Sequence, residues 1–494
     1  MRDLPASAVG RRTVLRSALG VASLGAIGAC SQSSRQATGP LVLPADPRIS
    51  EVEAGRHTTG RVRSTVLTAV PADVDLGGPV VTTWTYDGRL PGREIRVGAG
   101  DIVDAELVNR LPVETSIHWH GVALRNDMDG AAGVTQPPVG PGGRFRYRFV
   151  APDPGTYWLH PHTGTQLDRG LYAPLIVEDP AEPGRYDAEW VVLLDDWLDG
   201  TGTDPDRTLA GLRQGSGMGH MHTGVGGSRL LGGDAGDVSY PYYLVNGRVP
   251  SAPALFTGRP RQRMRLRFVN AGSDTAFRVA LGGHRLTVTH TDGFGVDPLE
   301  TDALLIGMGE RYDAEVTLAD GVFPLVAVAE GKDASAFALV RTSSGSAPGH
   351  GTRPAELDRA VAGYDDLHAT DAARLTGRSA DVVHRVTLTG GMMGYDWGIN
   401  GRRYDGSAPP LGVREGQRVH VTFENATMMW HPMHIHGHTF QIGDSGPRKD
   451  TAIVLPHSRL TCAFDARNPG QWMVHCHNTY HAEAGMMTTL GYQA

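Results

Sequence analysis

The chain has 494 residues, 40% hydrophobic and 20% charged, which is enough to bury several cores and excludes a disordered chain or a lone small module. Its 65 glycines and 32 prolines follow no fixed period, which argues against collagen or a helical solenoid and for many short strands joined by turns. With 46 basic against 53 acidic residues the formal charge is −7, and no basic tract points to a nucleic-acid partner.

Residues 1–29 read as an export signal. Arg11-Arg12 precede a modestly apolar run from Val14 to Ala29, too short to span a bilayer comfortably, and the paired arginines suggest the twin-arginine pathway. The run closes on Ile27-Gly28-Ala29-Cys30, which resembles the lipobox of bacterial lipoproteins and predicts a lipid anchor at Cys30. Residues 30–45 then form a tether. The expected location is extracytoplasmic, in the periplasm or cell envelope, and a monomer is favoured.

The body repeats itself three times. Residues 99–109, 260–270 and 415–425 each alternate apolar and polar residues up to a terminal asparagine, as half-buried strands do. Each copy closes on a related segment, at Pro154-Gly155, Asp320-Gly321 and Pro469-Gly470. The sequence therefore predicts an all-β chain of three related domains, 46–181, 188–343 and 381–494. A linker covers 344–380, with a short helix expected between Asp358 and Ala373.

The repeat also sorts the chemistry. Nine residues after Asn109 stands His118-Trp119-His120, and nine after Asn425 stands His434-Ile435-His436, whereas nine after Asn270 stands Val279-Ala280-Leu281. At the closing strand, His160-Pro161-His162 and His475-Cys476-His477 match Val326-Ala327-Val328. On a strand, residues i and i+2 share a face, so each pair presents two imidazoles side by side. Eight imidazoles from the outer domains suit three copper ions with open positions for oxygen.

Alternation turns Cys476 away from His475 and His477, toward a different metal. A mononuclear blue copper site needs a thiolate, two imidazoles and a weak thioether, and His431, Cys476, His481 and Met486 supply them. A strand end followed by a folded-back loop would bring the four together. Cys476 would then carry electrons through its peptide neighbours to the cluster. Of the other cysteines, Cys462 reads as a small buried hydrophobe on a strand.

These motifs, His118-Trp119-His120-Gly121, His160-Pro161-His162, His431-Pro432-Met433-His434-Ile435-His436-Gly437 and His475-Cys476-His477 with His481 and Met486, resemble the four copper signatures of three-domain multicopper oxidases, the laccases and bacterial cuprous oxidases. With its leader, the chain looks most similar to the actinobacterial, mycobacterial-type copper-resistance oxidase lipoproteins. The resemblance implies three cupredoxin-like Greek-key β-sandwich domains and four copper ions. It assigns His118 and His434 to a type 2 copper and His120, His160 and His477 to one type 3 copper. His162, His436 and His475 go to the other, and His431, Cys476, His481 and Met486 to type 1. Oxygen reduction needs protons, for which Asp129 matches the family's acidic position. The second acid usually follows the last type 1 histidine directly; here Ala482 stands there, and Glu483 comes one later.

The reducing substrate is Cu(I), Fe(II) or a phenol, with O2 as acceptor. Soft ligands favour Cu(I): Met218, His220, Met221 and His222 in a Gly-rich loop, and Met428 and Met429 beside His431. Cuprous oxidases carry an Asp where Thr427 stands, which leaves laccase-like phenol oxidation or ferroxidation as the alternative. Met308, Met392, Met393 and Met487 read as core or supporting residues, and His438 as a support to the ligand motif. A nitrite reductase is disfavoured by the eight cluster histidines, and a non-catalytic copper-sequestering lipoprotein by the full ligand set.

Overall fold

The computed structural model describes residues 39–182, 186–215 and 227–494. The expected leader with Cys30, and Met218, His220, Met221 and His222, lie outside these residues.

Strand alternation produces six sheets, two in each third of the described chain. In each third the same arrangement recurs around the strand that ends in asparagine. Ile102–Asn109 pairs parallel to Val62–Asp75 and antiparallel to Arg144–Val150. Arg263–Asn270 pairs parallel to Ala188–Trp197 and antiparallel to Arg311–Thr317. Arg418–Asn425 pairs parallel to Val382–Thr389 and antiparallel to Arg459–Asp465. The chain is thus three successive cupredoxin-like β-sandwiches, as its sequence predicts.

The repeated asparagine has one job in all three copies. Its Oδ1 accepts the backbone N–H two residues on, from Leu111, Gly272 and Thr427, each at 2.9 Å. Its Nδ2 donates across the loop to distant carbonyls: Val139 at 2.7 Å, Ile306 at 3.0 Å and Val454 at 3.1 Å. A buried side-chain amide satisfied on both ends fixes the turn that leads into the next strand. In the outer copies that strand carries the first histidine pair. In the middle copy the corresponding strand, Phe277–Leu281, has all but Arg278 buried and packs apolar residues instead.

The second sheet of each outer domain brings the pairs into register. His118 faces His160 across one strand pair, and His434 faces His475 across the other. The middle residue of the first pair in each outer domain turns into a core. Trp119 packs edge-on against Tyr147 and Phe149, and Ile435 is buried in the large cluster shared by the middle and last thirds. Burying side chains of this size contributes about 2 kcal/mol each, and the opposite face is left to the imidazoles.

Three expectations change. Beyond Gly39 the presumed tether is docked: Val42 N–H donates to Tyr492 O at 2.8 Å, and the Val42 side chain is buried. Between Asp358 and Ala373 the expected short helix is a single 3-10 turn, Tyr364–Asp366, rather than an α-helix. Two 3-10 turns, Ala355–Asp358 and Tyr364–Asp366, flank the short strand Val361–Ala362, whose backbone is engaged with Ala303–Ile306. Met393 is 89% exposed, so it supports no core, while Met308 is buried.

Candidate metal centre

The eight paired histidines converge where the first and last domains meet. Nε2 of His162 and of His436 lie 3.3 and 3.0 Å from Nε2 of His475. Nδ1 of His120 lies 3.4 Å from Nε2 of His160 and 3.2 Å from Nε2 of His477. Nε2 of His118 and Nε2 of His434 are buried and have no hydrogen-bond partner. These contacts gather His162, His436 and His475 in one group and His120, His160 and His477 in another, while the ligand atoms of His118 lie within 4.8 Å of those of His434 and His436 and of those of His120 and His160.

Imidazoles this close must be neutral. Burial, reinforced by neighbouring rings, pushes His120, His160, His436, His475 and His477 well below the usual histidine range, and His162 down to about 3. Each of these neutral rings carries one proton, on one of its two nitrogens. Several of the outer nitrogens are held by the chain, whereas Nδ1 of His477 is buried without a hydrogen-bond partner. His160 and His475 donate from Nδ1 to the carbonyls of Pro161 and Cys476, each at 2.8 Å. His436 donates from Nδ1 to Asp129 Oδ2 at 2.9 Å, and His118 Nδ1 lies 3.0 Å from Asp129 O and 3.2 Å from Oδ1. Asp129, just after the 3-10 turn Asn126–Met128, thus bridges histidines of two domains and is fully buried. Such outer contacts orient metal ligands and fix their tautomers.

On the other face of the closing strand, Cys476 Sγ lies 3.7 Å from Nδ1 of His431 and 3.7 Å from Nδ1 of His481. The two Nδ1 atoms are 3.0 Å apart. The segment after Cys476 is a short helix, Thr479–Ala484, where a loop was expected. Asn478 caps it by accepting from the N–H groups of Tyr480 and His481, and Gly485 ends it at φ 124°. One turn of helix swings His481 back beside the thiol. Met486 is buried and returns to the strand: its O accepts from Cys476 N at 3.1 Å and its N donates to His481 O at 2.9 Å.

The outer edges of this trio are also occupied. His431 Nε2 meets Thr427 Oγ1 at 2.8 Å. His481 Nε2 meets Asp237 Oδ2 at 2.9 Å, and Tyr395 O–H donates to the same oxygen at 2.6 Å. The Trp397 ring lies 4.4 Å from that of His481. Burial pushes His431 well down. Burial also acts to lower His481, but the Asp237 carboxylate outweighs it and raises His481 to about 10. A metal ion at Nδ1 would displace a proton there, while Asp237 would keep the one on Nε2.

The donor sets fit copper. A thiol and two imidazoles, with the backbone of the buried Met486 bonded to Cys476 and His481, suit the blue type, and the eight clustered imidazoles, with unpartnered nitrogens on His118 and His434, suit a cluster with open positions. Of the other expected residues, His438 supports the site, donating from Nδ1 to His436 O at 3.0 Å. Met428 is 78% exposed, whereas Met429 is buried in the core. The Glu483 carboxyl is raised by burial and faces Arg213 and Asp206, and no hydrogen bond joins it to the histidines among the described residues. Asp237 and Asp450, which contact His481 and His120, are site residues that the sequence did not flag. No local spacing links Asp237 to His481, and Asp450 lies beside Thr451, the strand partner of His434.

Three sequence models of the family described as multicopper oxidase match residues 71–182, 188–344 and 378–493. The chain belongs to the multicopper oxidase family. It is 50% identical to multicopper oxidase MmcO of Mycobacterium tuberculosis, over 96% of this chain and 95% of that protein. It is 29% identical to a copper resistance protein A homologue of Pseudomonas syringae pv. tomato, over 85% and 90%. A laccase structure from Botrytis aclada superimposes with a TM-score of 0.74 at 26% identity, over 90% of each chain. The iron-import oxidase Fet3p shares the fold, with a TM-score of 0.74 at 22% identity over 87% of this chain and 90% of that one. As a multicopper oxidase, the chain is a copper-binding, oxygen-dependent oxidoreductase.

Proposed function

We propose that the protein is a Cu(I) oxidase of copper tolerance that carries four copper ions. His431, Cys476, His481 and Met486 would hold the type 1 ion and His118 with His434 the type 2 ion. His120, His160 and His477 would hold one type 3 ion, and His162, His436 and His475 the other. Bound copper would supply one-electron oxidation of the substrate and four-electron reduction of O2 to water. The observation that carries this reading is that Cys476 stands in the thiol site while its neighbours His475 and His477 stand in the cluster, so one peptide segment joins the two.

The chain's own residues do the rest. Asp129 holds one imidazole from each outer domain and is the carboxyl in place to deliver protons at the cluster. Asp237 and Thr427 fix the rings of His481 and His431 so that both Nδ1 atoms face the thiol. Burial of the cluster rings keeps bulk water from competing for their lone pairs. Glu483, whose carboxyl burial keeps more protonated, is the second proposed proton carrier, acting through water.

For the substrate, the exposed thioether of Met428, three residues before His431, offers a soft ligand beside the type 1 site. The likeness to the copper resistance protein A homologue supports the same reading. Met218, His220, Met221 and His222 complete the proposed Cu(I) ligands, whereas Met429, expected among them, is packed into the core and offers its sulfur to no incoming ion. Phenol oxidation or ferroxidation is the second reading, favoured by the laccase likeness. Export by the twin-arginine route and a lipid anchor at Cys30 would place the enzyme at the cell envelope. Turnover of Cu(I), Fe(II) and a bulky phenol compared side by side tests this, together with Met428→Ala. A raised KM for Cu(I) with unchanged phenol turnover is expected. Intact Cu(I) kinetics with lost phenol kinetics would make the laccase reading primary.

A further inference from the structure

The middle domain carries none of the histidine pairs, yet it reaches the cluster through one buried ion pair. Arg311, which opens the strand Arg311–Thr317, grips Asp450 of the last domain with both ends of its guanidinium: Nη1 to Oδ1 at 2.7 Å and Nη2 to Oδ2 at 2.6 Å. Both side chains are 0% exposed. The guanidinium is itself fixed, donating from Nε to Thr156 O at 3.1 Å and from Nη1 to Gly309 O at 3.0 Å. Asp292 accepts the backbone N–H of Arg311 at 2.8 Å and of Asp450 at 3.0 Å. Residues of all three domains thus determine where the Asp450 carboxylate stands.

That carboxylate faces His120, the exception in the cluster. His160, His162, His436, His475 and His477 turn Nε2 toward their neighbours, and the unpartnered nitrogens of His118 and His434 are also Nε2. His120 alone turns Nδ1 inward. Its Nε2 lies 3.1 Å from Asp450 Oδ1 and 3.2 Å from Thr451 Oγ1. A neutral imidazole carries one proton, and a carboxylate can only accept, so this contact holds the proton on Nε2 and leaves the Nδ1 lone pair for the cluster.

Two glycines make the approach possible. At Gly121, next to His120 and at φ 84°, a Cβ would overlap Arg311 Nη2 and lie 2.6 Å from Asp450 Oδ2. At Gly309, with φ 81°, a Cβ would lie 2.7 Å from Cδ2 of His477. The chain is kept bare on both sides of this ion pair.

We propose that Asp450, set by Arg311 of the middle domain, is the positioning residue that selects the His120 tautomer, so that the domain without histidine pairs controls the geometry of the oxygen-reducing site. The inference rests on the copper assignment above. Its test is Asp450→Asn in the copper-loaded protein, because a carboxamide keeps the size but can present either a donor or an acceptor to His120. The double variant Asp450→Asn/Arg311→Met removes the buried charge from both sides and guards against failure of the single variant to fold. Copper content, the near-ultraviolet type 3 absorption, the type 1 blue band and the kcat/KM for O2 are measured together. The expected result in both variants is an intact blue band, a diminished type 3 absorption and loss of type 3 copper, with kcat/KM for O2 down by about tenfold to a hundredfold. Wild-type type 3 absorption and O2 kinetics in either folded variant would overturn the positioning role. Absence of both bands from the wild-type protein would instead refute the copper assignment itself.

Discussion

Cys476 and His475 are consecutive residues that face different groups of side chains. Sγ of Cys476 lies 3.7 Å from the Nδ1 atoms of His431 and His481, while Nε2 of His475 lies 3.0 Å from Nε2 of His436 on the opposite face of the strand. Cys476→Ser exchanges the thiol for a hydroxyl of nearly the same size and a much poorer ligand. The blue band and steady-state oxidation should vanish while circular dichroism and the type 3 absorption persist. A blue, active variant would remove Cys476 from the type 1 site.

The unpartnered Nε2 atoms of His118 and His434 make the opposite prediction. His118→Ala or His434→Ala should deplete the type 2 copper signal in electron paramagnetic resonance and leave the blue band reducible. Losing an outer contact to a ligand already costs tenfold to a hundredfold, so oxygen consumption should fall by about a hundredfold or more. Selective bleaching of the blue band by either change would contradict the sorting of the two sites.

Proton competition gives a test at His481. The Asp237 carboxylate, against the effect of burial, raises this imidazole to about 10, so below that pH the metal-free protein carries a proton that copper must displace. Affinity of the type 1 site for copper should therefore rise with pH across the neutral range. Asp237→Asn removes the charge that holds the proton, and the slope of log affinity against pH should fall by about one proton. Copper titrations of the metal-free protein between pH 6 and 8, followed by the blue band, give both slopes, and equal slopes would contradict the pairing.

Asp168 predicts a stability effect. Burial, and secondarily Asp196, raises this carboxyl well above the usual range, while Oδ2 accepts from the hydroxyls of Tyr480 and Tyr240 and Oδ1 has no partner. The folded state holds a proton that the unfolded chain releases near pH 4, so the contribution of this group is complete below that point and declines as pH rises toward the folded value. Asp168→Asn imitates the protonated acid. Thermal midpoints of the variant should gain on the wild type from pH 5 to pH 8, and a constant difference would show that Asp168 is ionised in the fold.

Sequence order revealed what depends on strand periodicity. The alternating runs ending in Asn109, Asn270 and Asn425 gave three related sandwiches, and the histidine pairs at equal distance from the outer two gave the cluster. The supports stayed hidden because they arrive through tertiary contact: Asp237 and Arg311 come from the middle domain, far in sequence from the rings they govern. The helix Thr479–Ala484 is six residues long, too short to show a helical period, and only its Asn478 cap and Gly485 stop mark it. The difference between Met428 and Met429 also required the fold. Asn425 binds the Met429 carbonyl and turns the chain there, leaving one side chain in the core and the other outside.

The most direct test of the central claim is the copper content of the purified, loaded protein beside that of Cys476→Ser. Two connected sites predict four copper ions per chain in the wild type and three in the variant, with the cluster absorption unchanged. A variant that keeps all the copper of the wild type, or one that loses the cluster together with the blue band, would contradict the account.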